Sequence, residues 1–198
     1  MDVRPMTIEG AHVVTPRQFP DERGVFLEAF RGDLLAEHTG HEMRVVQTNV
    51  SVSAKGVLRG VHYADVPPSQ AKYVTALHGS FLDVVVDLRV GSPTFGRSES
   101  VLIDTVDRRA VHLSEGLGHA LLSLQDGSVA HYLCSAAYAP DREHGIHPLD
   151  PDLALDLPAG LTPVLSPKDA AAPSLQEALD RGLLPRWEDC VTFRRSLS

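Results

Sequence analysis

From Arg44 to Tyr138 the chain alternates short β-prone runs with Gly, Pro, Asp and Ser punctuation. The runs are "RVVQTNVSV" (44–52), "GVLRGVHY" (56–63), "KYVTALHG" (72–79), "FLDVVVDLRV" (81–90), "GRSESVLIDTV" (96–106), "RAVHLS" (109–114), "HALLSL" (119–124) and "VAHYLCSAAY" (129–138). A spacing of roughly 8–12 residues predicts an antiparallel sandwich or barrel. "GSPTFG" (91–96) and "LQDGS" (124–128) read as turns, because Pro fixes φ and Asp-Gly accepts positive φ. Helical patterning is confined to the ends. "GDLLAEH" (32–38) reads as a short helix, and "PSLQEALDRG" (173–182) as a better marked one. In the second, Ser174 is the N-cap, Glu177 completes a capping box, Gly182 stops the helix, and Leu175, Ala178 and Leu179 form the docking stripe. The Pro-rich stretch 158–173 reads as a loop leading to it. The expectation is a mainly β single domain over residues 1–198, with its core at about 15–158 and a short helical tail at about 159–198.

Alternation sorts strand residues onto faces. Gln47, Asn49, Ser51 and Ser53 share one face; Thr48, Val50 and Val52 share the other. Lys72, Val74, Ala76 and His78 lie together, as do Tyr132, Cys134 and Tyr138. A polar strand face is ordinarily solvated, but in a barrel it can line the lumen and bind a polar ligand. "GVLRGVHYADVPPSQAKYV" (56–74) sets the problem: Arg59, His62 and Lys72 sit in what reads as sheet. Strict alternation sends Arg59 and His62 to opposite faces, and Gly60 between them permits a bulge that would re-aim one.

Composition narrows the function classes. The chain has 198 residues, is 43% hydrophobic and 22% charged, and carries a formal net charge of −8. That charge disfavours a sequence-independent nucleic-acid binder, although a local Arg/Lys cluster can still hold a small anion. No run reaches the roughly 18 apolar residues of a membrane span, and "MDVRPMTIEG" does not read as a signal peptide, so the cytoplasm is expected. Cys134 and Cys190 form neither a disulfide framework nor a zinc motif.

Five stretches resemble the dTDP-4-dehydrorhamnose 3,5-epimerase family: "FPDERGVFLEAF" (19–30), "QTNVSVSAKGVLRGVHY" (47–63), "DVVVDLRVGSPTFG" (83–96), "SEGLGHALLSL" (114–124) and "YLCSAAYAPDREHGI" (132–146). With "LDPDLALDLP" (149–158), the likeness covers about residues 15–170. It implies a cupin-type jelly roll, an isomerase without cofactor, and a dTDP-4-keto-6-deoxyhexose as substrate. It also implies a homodimer in which strands near the N-terminus cross to the neighbouring subunit. Metal-binding cupins place a second ligand two residues after the first His; here that position is Ala64, which leaves His62 and His119 without a third ligand. No metal is expected.

Inverting a carbon beside a ketone needs a base on one face, a partner for the enolate oxygen and an acid on the other face. By motif position the resemblance implies His62 with Asp150 as base, Lys72 beside the enolate oxygen and Tyr132 as proton donor. It implies Arg23 and Glu28 reaching the ligand from the neighbouring subunit, Gln47, Thr48 and Asn49 lining the nucleotide side, and Arg59 on the diphosphate. Tyr138 would stack on the base, with His119, Glu143 and Lys168 completing the set. Taken singly, each has an ordinary reading: a core histidine, a solvated lysine, a core tyrosine. The continuation "YAD" after His62, "IHPLDP" before Asp150–Pro151 and Leu121 in "GHALL" depart from the commoner family form. They resemble the branch that makes antibiotic deoxysugars, some of whose members invert C3 alone. The rival readings are a 3,4-ketoisomerase on the same substrates, a non-catalytic nucleotide-sugar-binding cupin and, last, a metal-dependent cupin oxygenase.

Overall fold

Two antiparallel sheets facing each other form the body of the protein. The computed structural model describes residues 1–67 and 69–197. Its strands begin with β1 (Asp2–Pro5), β2 (Ala11–Thr15), β3 (Gln18–Asp21), β4 (Gly24–Leu27) and β5 (Gln47–Ser53). There follow β6 (Leu58–Ala64), β7 (Lys72–His78), β8 (Ser80–Val86) and β9 (Ser98–Asp104). The set ends with β10 (Ala110–Leu113), β11 (Gly118–Ser123), β12 (Ser128–Cys134) and β13 (Glu143–Gly145). Helix α1 (Gly32–Thr39) precedes β5; α2 (Pro167–Ala170), α3 (Leu175–Asp180) and α4 (Trp187–Arg195) form the tail. One sheet runs β1-β2-β10-β7-β12-β5 and the other β13-β6-β11-β8-β9, while β3 and β4 pair as a separate hairpin. This is the mainly β jelly roll expected from the sequence, with its helical tail. Among the described residues, no helix is long and apolar enough to cross a membrane.

Period-two patterning explains how the layers pack. On β8, Phe81 and Val85 face inward with Val74, Ala76, Val111 and Leu121 of neighbouring strands. The alternate residues Val84 and Val86 face outward into a second cluster with Leu58, Val61 and Leu122. The tail covers that outer cluster through Leu175, Ala178 and Leu184. Each fully buried side chain of this kind contributes about 1.5–3 kcal/mol. Helix α1 seals the outer face of the six-stranded sheet, with Leu35 packed among Val14, Tyr73 and Leu133.

The ends of the tail helix follow the reading above. Ser174 Oγ accepts from Glu177 N and the Glu177 carboxylate accepts from Ser174 N, so the capping box is complete. Gly182 follows with φ of +64°. The stretch 158–173 departs from it. Instead of a simple loop it contains α2, with Ser166 as N-cap and Pro167 in the first turn. Val164 bridges to Val57 in parallel. Val164 N donates to Gly56 O at 2.8 Å and Leu58 N to Val164 O at 3.0 Å. These bonds lay the tail along the start of β6 and bring α2 to the open end of the barrel. Strands β1 to β4 and β13 and helix α4 are further elements beyond the patterned runs. Pro68, between β6 and β7 in sequence, lies outside the described residues.

The bulge on β6 exists. His62 pairs with His119 and Arg59 with Leu121, so Gly60 and Val61 together oppose Ala120. Gly60 has φ of +112°, and a β-carbon there would overlap the carbonyl oxygen of His119. The extra residue lets Leu58 and Val61 share the outer core. Arg59 and His62 both line the inner cavity. Gly60→Ala should therefore cost about 2–4 kcal/mol, through positive φ and overlap with backbone together. The check is urea denaturation; an unchanged midpoint would mean the close approach is easily relieved.

Candidate active site

At the open end of the barrel, between the two sheets, lies a cavity of about 510 Å3. The five-stranded sheet supplies Arg59, His62, His119 and Glu143; the six-stranded sheet supplies Gln47, Asn49, Lys72 and Tyr132. The tail closes one side with Ser166, Lys168 and Asp169, and Tyr138 lines the rim.

The central pair joins barrel to tail. His62 Nε2 lies 2.6 Å from Asp169 Oδ1. Ser166 holds the carboxylate from behind: its hydroxyl donates to Asp169 Oδ2 at 2.9 Å and accepts from Asp169 N at 3.1 Å. Burial pushes the Asp169 carboxyl up, but the bonds from His62 and Ser166 outweigh it and leave its pKa below the ordinary value. An ionised carboxylate only accepts, so His62 Nε2 carries the proton in this bond.

A second imidazole–carboxylate pair stands beside the first. His119, the cross-strand neighbour of His62, places Nε2 2.9 Å from Asp83 Oδ2. Asp83 is fully buried, and its other oxygen has no partner among the described residues. Opposite them, Lys72 opens β7 in register with Cys134. Burial pushes the Lys72 ammonium pKa down; Cys134, Glu143 and Asp83 pull the other way without cancelling it. Burial pushes the Tyr132 phenol pKa up, so this group keeps its proton at neutral pH. Arg59 is anchored by Nε to Ser53 Oγ at 3.1 Å and Nη2 to Val52 O at 3.3 Å. Gln47 Nε2 donates to Asn49 Oδ1 at 2.8 Å, and Gln47 Oε1 accepts from Tyr138 N at 2.9 Å.

The residues expected from sequence divide accordingly. His62, Lys72, Tyr132, Arg59, Gln47, Asn49, His119, Tyr138, Glu143 and Lys168 line one cavity. Asp150 does not: its Oδ2 accepts from Leu175 N at 2.5 Å and its Oδ1 from Asp152 N at 3.1 Å. It satisfies a free N–H at the start of α3, where a carboxylate is also favoured by the helix dipole. The carboxylate beside His62 is Asp169. Thr48 is exposed on the outer face of β5, as alternation with Gln47 and Asn49 requires. Arg23 and Glu28 lie at the hairpin, away from this chain's cavity, paired with Asp21 and Arg31. Asp83, Ser166 and Asp169 are not among the residues expected from the sequence. "SPKD" (166–169) held a usable signal, since Ser followed by Pro is a helix start.

The sequence matches, over residues 5–177, the family described as dTDP-4-dehydrorhamnose 3,5-epimerase. The chain belongs to the dTDP-4-dehydrorhamnose 3,5-epimerase family. It is 54% identical to a dTDP-4-dehydrorhamnose 3-epimerase of Streptomyces niveus, over 96% of this chain and 91% of that one. To a dTDP-4-dehydrorhamnose 3,5-epimerase of Mycolicibacterium smegmatis it is 52% identical, over 100% of this chain and 97% of the other. Among solved structures, it resembles ChmJ, a 3'-monoepimerase from Streptomyces bikiniensis in complex with dTDP-quinovose. The TM-score is 0.95 at 47% identity, with 98% of each chain covered.

Asp150→Ala should destabilise this family member by about 1–3 kcal/mol, the cost of leaving the buried Leu175 N–H without its acceptor. Calorimetry or urea denaturation reads it. Unchanged stability would mean that Asp150 does not secure the start of α3.

Proposed function

We propose that the protein is a cofactor-independent epimerase acting on a dTDP-linked 4-keto-6-deoxyhexose in deoxysugar biosynthesis, inverting the carbon at C3. Whether C5 follows is what separates 3,5-epimerases from 3-epimerases, and relatives of both kinds match this chain equally well. The observation that carries the reading is the opposition of His62–Asp169 on one wall and Tyr132 on the other.

In this reading, His62 Nδ1 takes the C3 proton, and Asp169 stabilises the imidazolium that results. Charge moves onto the C4 oxygen, which Lys72 meets as a fixed cation in a site of low dielectric. Tyr132, still protonated, returns a proton to the opposite face and inverts the centre. Arg59 and Lys168 supply positive charge for the diphosphate, with the Arg59 fork the better match to phosphate oxygens. Tyr138 offers an aromatic face to the base beside Gln47 and Asn49. His119, held by Asp83, and Glu143 contribute polar contacts to the sugar. The ketoisomerase and binding-module readings gain no support from these relatives, which are named as epimerases.

The partner surface follows the same line. Phe26 of the hairpin is 68% exposed, and Val50 and Val52 of the edge strand β5 are 61% and 65% exposed. These apolar groups suit burial in a homodimer in which the hairpin crosses over and carries Arg23 and Glu28 to the neighbour's cavity. A cytoplasmic location fits such a nucleotide-sugar enzyme.

Proton NMR of dTDP-4-keto-6-deoxyglucose with the protein in D2O is the deciding experiment. Deuterium and inversion are expected at C3; the same at C5 makes it a 3,5-epimerase, and no exchange despite binding refutes the proposal. Asp169→Asn should slow C3 exchange roughly a hundredfold to ten-thousandfold. His62→Ala should abolish it, and Tyr132→Phe should preserve exchange while suppressing inverted product. Full exchange in His62→Ala would remove His62 as the base.

A further inference from the structure

Strand β8 buries one carboxylate in an otherwise apolar inner face. Phe81 and Val85, two residues to either side of Asp83, belong to the inner core. The cross-strand neighbours of Asp83 are Leu121 on β11 and Val101 on β9, which pack in the same core. Asp83 itself is fully buried. It meets one hydrogen-bond partner: His119 Nε2 lies 2.9 Å from Oδ2. Oδ1 has none among the described residues. A carboxylate so placed is costly, and an apolar side chain could fill the same volume without that cost. The charge calls for a reason outside the packing.

The reason lies across the cavity floor. His119 and Lys72 both line the cavity. Burial works against the Lys72 ammonium, and Cys134, Glu143 and Asp83, in that order, work for it. All three act across space, through no hydrogen bond to Lys72. They are not equivalent at neutral pH. Burial pushes the Cys134 thiol pKa up, so this group keeps its proton and supplies no charge there. Glu143 stands partly exposed on the three-residue edge strand β13, where water screens it. Asp83 alone is fixed in the rigid interior, in low dielectric and away from solvent.

We infer that Asp83 is a positioning residue for Lys72: a carboxylate held by His119 beneath the cavity, whose buried negative charge keeps Lys72 an ammonium where the enolate oxygen forms. The inference rests on the epimerase reading of the site. A neutral amine would leave the developing oxyanion without its cation, so the charge state of Lys72 decides how readily C3 gives up its proton. The need is sharpened by the surroundings. Arg59 from β6 and Lys168 from the tail share the cavity and oppose a third cation. Asp169, the other carboxylate on the tail, is engaged by His62 and Ser166. Tyr132 from β12 keeps its proton, as the raised phenol pKa requires. The two imidazole–carboxylate pairs thus have different duties. Asp169 serves the base, and Asp83 serves the cation.

The test is the pH profile of C3 exchange, read as kcat/KM for deuterium uptake by dTDP-4-keto-6-deoxyglucose in D2O between about pH 5 and 9.5. Exchange is followed rather than product because it does not require Tyr132, whose own titration would add a second alkaline limb. Asp83→Asn keeps an acceptor for His119 Nε2 and removes the charge. Loss of that charge favours the neutral amine, so the alkaline limb should move to lower pH. Exchange at the wild-type alkaline half-maximum should fall roughly threefold or more. The shift should persist when His119 is also replaced, by Gln. A merely structural role would lower exchange at every pH alike and leave the limb in place. If Asp83→Asn does not fold, Asp83→Ser, which is smaller and also accepts from His119, reads the same limb. A limb that stays put, or a shift that vanishes once His119 is gone, overturns the inference. Wild-type protein that exchanges nothing at C3 at any pH fails the epimerase reading instead.

Discussion

The close approach of Gly60 to the backbone of β11 is the constraint on which the rest of the site depends. A regular strand cannot bury Leu58 and Val61 in the outer core and also turn Arg59 and His62 inward. One extra residue on β6 resolves the conflict, and it is tolerated because that residue has no side chain to meet His119 O. Two residues of opposite nominal parity then share one cavity, and His62 comes into line with His119 across the ladder.

The two sheets divide the chemistry. One wall carries two imidazoles, each tied to a buried carboxylate; the other carries an ammonium whose pKa is lowered by burial and a phenol whose pKa is raised by it. A ligand lying between them meets a proton acceptor on one side and a proton donor on the other. The rigid core beneath, from Val74 to Leu121, fixes the separation of the walls. Charge is handled locally: a chain of net charge −8 gathers Arg59, Lys72 and Lys168 around one opening.

Much of this was legible in the sequence, and the failures have physical reasons. Strand β8 carries its faces in strict alternation, β7 does so as far as Ala76, where its ladder with β12 shifts register, and α3 announces itself through Ser174 and Glu177. Gly60 signalled a possible bulge but not its register, which rests on pairing with a strand about sixty residues away. Motif position points to Asp150 as the carboxylate partner of His62, while Asp169, which stands there, lies in a Pro-rich stretch that masks a four-residue helix. Thr48 shares its motif with Gln47 and Asn49, although alternation alone turns it outward. Arg23 and Glu28 extend from a hairpin that contributes nothing to its own chain's cavity. No local pattern reveals which surface a crossing hairpin would meet.

The His62–Asp169 pair spans 107 positions and bridges two bodies, a closed barrel and a tail laid over it. The segment is tied to the barrel near Val164, by Asp150 to Leu175 N, by Val90 to Pro185 and Trp187 and by Glu9 to Arg194, besides its apolar face, and a unit of this kind can open apart from the barrel. A molecule in which the α2 segment has lifted lacks the carboxylate beside His62. The fraction of the population with a complete pair is therefore capped by the docking of that segment, and warming would thin out complete pairs before the sheets themselves came apart.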